Sequence, residues 1–108
     1  MKVIIGGRGA GKTIELIKMA AGYKGYIVCS TRNEAHRVAE VAKSMELVIN
    51  FPLTYEEVKR GEYHASGIGN MLIDNIDNYL EYTLGVPITA ASISSHRNIY
   101  TLGGDAPY

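Results

Sequence analysis

The eight residues Gly6-Gly7-Arg8-Gly9-Ala10-Gly11-Lys12-Thr13 carry the strongest pattern in the chain. They match Gly-x-x-x-x-Gly-Lys-Ser/Thr at every specified position. The mainly apolar run at residues 2–5 predicts a short buried strand just before them, and apolar residues recur at helical spacing over residues 14–20 just after. We therefore expect a strand, a glycine-rich loop and a helix in direct succession, with Gly22 capping the end of the helix.

This loop has the chemistry that phosphate binding requires. Glycines let backbone N–H groups turn inward around phosphate oxygens, and the dipole of the following helix favours an anion at the same place. Lys12 is expected to reach the β and γ phosphates, and Thr13 to offer its hydroxyl to Mg²⁺. The expected ligand is a nucleoside triphosphate, most simply ATP with Mg²⁺. The weaker alternative is a glycine-rich turn with an incidental Lys-Thr cap. The expected ligand-binding residues are Gly6, Gly7, Arg8, Gly9, Ala10, Gly11, Lys12 and Thr13.

Arg8 occupies a position that the motif leaves open. Solvent is its favoured environment, because an isolated long cation usually keeps its charged end in water. A phosphate or a partner subunit is the alternative contact.

Strands and helices alternate along the rest of the chain. Two capping-box pairs, Thr31 with Glu34 and Thr54 with Glu57, predict helix starts. Gly61 is expected to end the second of these helices, and an amphipathic helix is expected before Gly85. Further strands are predicted at residues 26–29, 47–49, 71–73, 86–93 and 99–102, the last as an edge strand.

This alternation predicts the α/β class. Strands joined through helices form right-handed crossovers and a mostly parallel sheet that is covered on both faces. We expect one domain over residues 1–108, with three α/β/α layers and a sheet of about five strands.

An acid is expected beside the phosphate loop, because a bound magnesium water needs a carboxylate to hold it. Asp74 directly follows the apolar run Met71–Ile73, the arrangement called Walker B. Thr13 and Asp74 are therefore the predicted magnesium residues. A purely structural role for Asp74 as a turn former is the alternative.

Composition limits the classes of partner and compartment. Lys and Arg number 11 and so do Asp and Glu, so no net charge attracts nucleic acid or an anionic membrane. Beyond Gly61 the only strong base is Arg97, and this asymmetry weakly favours contacts between chains. Cys29 is the single cysteine, and its apolar neighbours predict a buried strand residue. No apolar stretch has the length of a signal peptide or membrane span, so a cytoplasmic location is expected.

With the loop at residues 6–13 and Asp74 together, the chain resembles the P-loop NTPases over its whole length. The resemblance implies a minimal RecA-like or helicase-like ATPase core, in which Thr31, Asp74 and the run Ser94-Ser95-His96 line the nucleotide cleft. The N-terminal segment is also similar to that of type II thymidine kinases. The zinc-binding lasso of those enzymes has no counterpart here, because Cys29 is alone.

The residue after Asp74 departs from the hydrolysing branch of this superfamily, which has Glu there. Asn75 can position water but cannot accept its proton. Asp77 is a candidate substitute base, or else a first-turn residue that complements the helix dipole. A sensor of the γ-phosphate is expected at Ser94, Ser95 or His96, with turn formation as the alternative role of the serines. Arg97 is a candidate arginine finger or else a solvated side chain. The candidate catalytic set is Lys12, Asn75, Asp77, Ser95 and Arg97.

These features predict a slow or partner-stimulated ATPase that acts as part of a homo-oligomer or larger assembly. Asn75 supports an alternative, a switch or structural module that binds ATP without hydrolysing it. A small nucleoside or nucleotide kinase is disfavoured, because the chain lacks an evident lid or acceptor-binding insertion. Nucleic acid is expected as a partner only through assembly. By analogy with other compact cores, a viral or mobile-element genome is a plausible source.

Overall fold

A computed structural model describes residues 1–7, 9, 11–23, 25–61, 69–94 and 99–102. The chain divides into two compact units, residues 1–12 with 89–108 and residues 13–88. The single domain expected over residues 1–108 stays a prediction. The elements of the described residues are β1 (Val3–Ile5), α1 (Lys12–Tyr23), β2 (Tyr26–Cys29), α2 (Arg32–Ser44), β3 (Leu53–Thr54), α3 (Tyr55–Lys59), β4 (Met71–Ile73), α4 (Ile76–Leu84) and β5 (Ile99–Thr101).

The first unit contains a two-stranded parallel sheet. β1 pairs with β5 in a register that sets Val3 opposite Ile99 and Ile5 opposite Thr101. The Leu102 N–H donates to the Ile5 carbonyl at 2.6 Å and extends the pairing by one bond. The last predicted strand is thus confirmed, and its partner is the strand that leads into the glycine-rich loop.

The second unit contains a three-stranded parallel sheet in the order β3-β2-β4. Val28, on the central strand, lies opposite Leu53 on one side and Ile73 on the other. The α/β class with parallel strands is confirmed. A single sheet of about five strands is not, because the described pairings form two separate sheets.

Alternate side chains of β2 enter different cores. Ile27 and Cys29 belong to a cluster with residues of α1, α2 and β4, whereas Val28 packs with Tyr55 and Val58 of α3. This alternation is the consequence of the two-residue period of a strand. The three-stranded sheet is therefore covered by helices on both faces, as the apolar character of residues 26–29 predicts.

The predicted helix boundaries are largely confirmed. The Thr31 hydroxyl accepts from the Glu34 N–H at the start of α2. Thr54 and Glu57 form a reciprocal capping box at α3. Gly61 and Gly85 adopt left-handed φ values of 74° and 79° where α3 and α4 end. Short-range patterns sufficed here because capping depends on residues only three apart.

Three expectations about secondary structure were wrong, and one strand was not predicted. Gly22 lies inside α1 and does not cap it. Within the described part of the chain, residues 47–49 and 86–93 form no strand, although both are apolar. Val86 and Ile93 are 60% and 51% exposed, and no strand pairs with this run among the described residues. β3 was missed, because Leu53–Thr54 is a strand only through its pairing with β2.

Candidate nucleotide site

The glycine-rich loop belongs to the first unit up to Lys12. Gly9 and Gly11 have φ values of 77° and 92°, in the left-handed backbone region that residues other than glycine rarely adopt. An added Cβ at either position would meet no atom within 4 Å. The backbone conformation, not crowding, is therefore what requires glycine there. Arg8 and Ala10 lie outside the described residues.

The Lys12 ammonium folds onto its own loop. Its Nζ donates to the Gly6 carbonyl at 2.6 Å and to the Gly7 carbonyl at 2.9 Å. An ammonium has three N–H donors, and two of those of Lys12 are used in these bonds to the start of the loop. The cation predicted to bind phosphate thus lies within the loop, beside the residues that the motif places with it.

The second unit joins the last motif residue to the predicted acid. The Thr13 hydroxyl donates to Asp74 Oδ2 at 3.3 Å, between residues 61 positions apart in the chain. Thr13 lies in the first turn of α1, and Asp74 directly follows β4. The structure therefore brings together the two residues that the sequence predicts for magnesium.

Asp74 is held in place by bonds at both ends of its backbone. Its N–H donates to the Val28 carbonyl at 3.0 Å, and its own carbonyl accepts the Tyr55 hydroxyl at 2.6 Å. The residue is only 8% exposed. Such a buried acid affects the groups around it: burial, followed by the charge of Asp74, raises the pKa of the Cys29 thiol to about 12.

Tyr55 was not predicted as a site residue. It is the first residue of α3, and its side chain is 3% exposed. In the sequence, Tyr55 is one of eight tyrosines and stands at the start of a short predicted helix. No neighbouring residue indicates its contact with Asp74, which lies 19 positions later. Its pKa is also raised to about 12, by burial first and then by the charges of Asp74 and Asp77.

Asn75 and Asp77 lie where the chain turns from β4 into α4. Asn75 precedes the helix with φ 58° and ψ 71°, and its side chain makes no capping hydrogen bond. Asp77 is in the first turn of the helix, and both side chains are exposed. Asn75 therefore follows the buried Asp74 with a left-handed backbone, which the sequence did not predict.

Of the remaining candidates, only Thr31 and Ser94 are among the described residues. Ser95 and Arg97 lie outside the described residues, as does His96. Ser94 is exposed. The Thr31 hydroxyl accepts the Glu34 N–H at 3.2 Å, so its described role is to cap α2.

The oxygens at Thr13 and Asp74 fit what Mg²⁺ requires. Mg²⁺ prefers hard oxygen ligands in octahedral geometry, keeps several waters, and usually takes only one or two protein ligands beside substrate phosphates. A hydroxyl and a carboxylate oxygen 3.3 Å apart offer one direct ligand and one acceptor for a bound water.

None of the described helices has both the length and the apolar character needed to cross a bilayer. No protein-family model, curated protein or solved structure matches the chain.

Proposed function

We propose that this chain is a P-loop protein that binds a magnesium nucleoside triphosphate, most simply ATP. The observation that carries the proposal is the hydrogen bond between Thr13 and Asp74. Thr13 ends a complete phosphate-loop motif, and Asp74 ends a buried strand. A chance glycine-rich turn would give no reason for its last hydroxyl to meet a buried carboxylate 61 residues later.

The loop residues support the same proposal. Gly9 and Gly11 have the left-handed φ values that turn backbone N–H groups towards an anion. Lys12 would exchange one or both of its bonds to the Gly6 and Gly7 carbonyls for phosphate oxygens. When bound, Mg²⁺ would neutralise charge on the phosphates, with Thr13 as a ligand and Asp74 holding one of its waters.

The proposed activity is slow or partner-stimulated hydrolysis of ATP. Asn75 follows the magnesium acid and can orient a water molecule, but its amide is not a base. Asp77 is the nearest further carboxylate along the chain, in the first turn of α4. Both side chains are exposed to solvent and are not fixed against a water molecule, so we propose that turnover by the chain alone is slow and rises with a further chain or copy. The proposed setting is a cytoplasmic assembly.

A second candidate function is a nucleotide-binding switch or structural module without hydrolysis. Asn75 favours this function, because a side-chain amide cannot accept the proton of an attacking water molecule. The two functions share the binding site and differ only in turnover.

Binding is tested by titrating the purified protein with ATP, GTP and ADP, each with and without Mg²⁺. Lys12→Ala is expected to weaken ATP binding by about tenfold to a hundredfold, because hydrogen bonds to charged groups are lost. Lys18→Ala is the matched control, since Lys18 lies on the same helix and forms only an exposed ion pair with Glu15 at 3.6 Å. Equal ATP affinities of the wild type and Lys12→Ala would refute the proposed site.

Turnover is tested on the same three proteins by release of inorganic phosphate. Release by the wild type and by Lys18→Ala, but not by Lys12→Ala, identifies the chain as an ATPase. Binding without any release above the Lys12→Ala level favours the non-hydrolysing module. Transfer of phosphate to an added nucleoside would overturn both functions in favour of a kinase.

A further inference from the structure

One buried phenol holds the turn that follows β4. The Tyr55 hydroxyl donates to the Asp74 carbonyl at 2.6 Å and lies 3.2 Å from the Asn75 carbonyl. The ring of Tyr55 packs edge to face on Tyr79, with centroids 5.2 Å apart. Packing therefore fixes the ring, and the fixed ring places the hydroxyl against two successive carbonyls.

The turn needs such support. Asn75 has a left-handed backbone, with φ 58° and ψ 71°, and makes no side-chain capping bond of its own. Residues other than glycine adopt this region at a free-energy cost, although Asn tolerates it better than most. The conformation persists only where surrounding contacts stabilise it, and the Tyr55 hydroxyl supplies contacts on both peptide groups of the turn.

The same hydroxyl determines where the Asp74 carboxylate points. The Asp74 N–H is bonded to Val28 of β2, and its carbonyl is bonded to Tyr55 of α3. With both backbone groups bonded, the side chain leaves the strand end in a fixed direction and reaches Thr13 at 3.3 Å. Loss of the phenolic bond would free one of these two anchors.

A phenolic O–H is a hydrogen-bond donor, and a carbonyl oxygen can only accept. The Tyr55 hydroxyl is therefore the donor and the Asp74 carbonyl the acceptor of the 2.6 Å bond.

We propose that Tyr55 is a positioning residue for magnesium, whose hydroxyl holds the turn at Asp74 and Asn75 so that the carboxylate faces Thr13. This inference rests on the proposed function, since it assigns a role within the same nucleotide site. Tyr55 itself contacts neither nucleotide nor metal. It acts through the backbone of Asp74.

The test is the gain in ATP affinity that Mg²⁺ provides, measured as the ratio of the Kd for ATP in EDTA to the Kd for ATP in excess MgCl₂. Tyr55→Phe removes the hydroxyl and keeps the ring. It is expected to lower this ratio about three- to tenfold, the equivalent of one hydrogen bond, and to leave the Kd in EDTA unchanged. A merely structural role would weaken both Kd values alike.

Tyr82→Phe is the matched control. Tyr82 packs against Tyr55 at a centroid distance of 5.7 Å, and its hydroxyl makes no hydrogen bond to Asp74 or Asn75 among the described contacts. Its ratio is expected to equal that of the wild type. An unchanged ratio in Tyr55→Phe, or an equal loss of affinity with and without Mg²⁺, would overturn the positioning role. If the wild type binds no ATP, the proposed function itself fails, and this inference fails with it.

A second pair of variants covers the case in which Tyr55→Phe does not fold. Asn75→Gly removes the backbone cost of the left-handed turn, because glycine adopts that region freely. The Mg²⁺ ratio is then compared between Asn75→Gly and the double variant that also carries Tyr55→Phe. A lower ratio in the double variant supports the positioning role, and equal ratios overturn it.

Discussion

Asn75 combines an unusual backbone with an unusual identity. It follows Asp74 in the left-handed region, at the position where hydrolysing members of the proposed P-loop family would carry Glu. Asn and Gly are the residues that tolerate this conformation best. The amide therefore suits the backbone here better than the carboxylate that hydrolysis would favour.

Replacing Asn75 with Glu would place a carboxylate base directly after Asp74. Asn75→Glu is expected to raise phosphate release by about tenfold or more, since a positioned general base contributes roughly 10²–10⁴ in rate. It is also expected to lower the free energy of unfolding by about 1 kcal/mol, because Glu adopts a left-handed backbone less readily. The two effects are measured by phosphate release and urea denaturation.

Asn75→Gln is the control for this exchange, because Gln has the length of Glu without its charge. It should share the loss of stability and not the gain in rate. No gain in rate from Asn75→Glu would show that a missing carboxylate does not limit turnover.

The sequence predicted candidate site residues where the signal comes from neighbouring positions. The glycine-rich loop and Asp74 became candidates because a motif and a strand end are recognised from adjacent residues. Tyr55 was not, because its hydrogen bond to Asp74 exists only after β3 and α3 are placed beside β4. The left-handed backbone of Asn75 was equally hidden, since Asn is common in many turns.

Helices α2 and α3 begin with the same chemistry in different surroundings. In both, a threonine hydroxyl accepts an N–H three residues later at 3.2 Å. Thr54 is 9% exposed and also precedes the positioning residue proposed above, whereas Thr31 is exposed. Water can replace the cap of α2 more easily than that of α3.

The second prediction compares these two caps. Thr54→Ala is expected to lower the free energy of unfolding by about 1–2 kcal/mol, because it leaves the Glu57 N–H without its acceptor in a shielded site. Thr31→Ala is expected to lower it by about 0.5–1 kcal/mol. Urea denaturation measures both.

Thr54→Ser keeps the hydroxyl and should retain most of the stability. Equal losses in Thr54→Ala and Thr31→Ala would contradict the part assigned to burial.

Elements were predictable where local residues decide them and not where partners do. The capping pairs gave the starts of α2 and α3, and the apolar runs gave β2 and β4. The partly apolar run at residues 86–93 forms no strand in the described chain, and β3 is a strand although it spans only two residues. A strand needs a neighbour with free backbone groups, and a sequence window contains no information about that neighbour.

Two buried titratable groups, the Cys29 thiol and the Tyr55 phenol, make the stability of the whole protein depend on pH in the alkaline range. Burial raises the pKa of Cys29 from 9.0 to about 12 and that of Tyr55 from 10.0 to about 12. Unfolding restores the ordinary values, so between pH 9 and about 12 the unfolded chain releases protons that the folded chain retains. Stability from these groups is complete below pH 9 and decreases as the pH rises through that window.

The contribution of the Cys29 thiol to this pH dependence can be separated from that of Tyr55. From pH 9 to pH 10, Cys29 is expected to account for a loss of about 1 kcal/mol in the free energy of unfolding, as linkage gives for an unfolded pKa of 9.0. Urea denaturation at pH 7.5, 9 and 10 measures the loss, and Cys29→Ala should reduce it by that amount. An identical decline in the two proteins would show that the thiol keeps its ordinary pKa in the fold.

The pairing of β1 with β5 has a consequence for the order in which the protein is made. Val3 lies opposite Ile99, which is 96 positions later in the chain. β1 leaves the ribosome before β5, so this sheet cannot form until the residues between them have been synthesised. Closing so long a loop is slow and entropically unfavourable. The strand that leads into the glycine-rich loop is thus translated well before its partner, and a nascent chain would acquire an ordered β1 only after β5 has emerged.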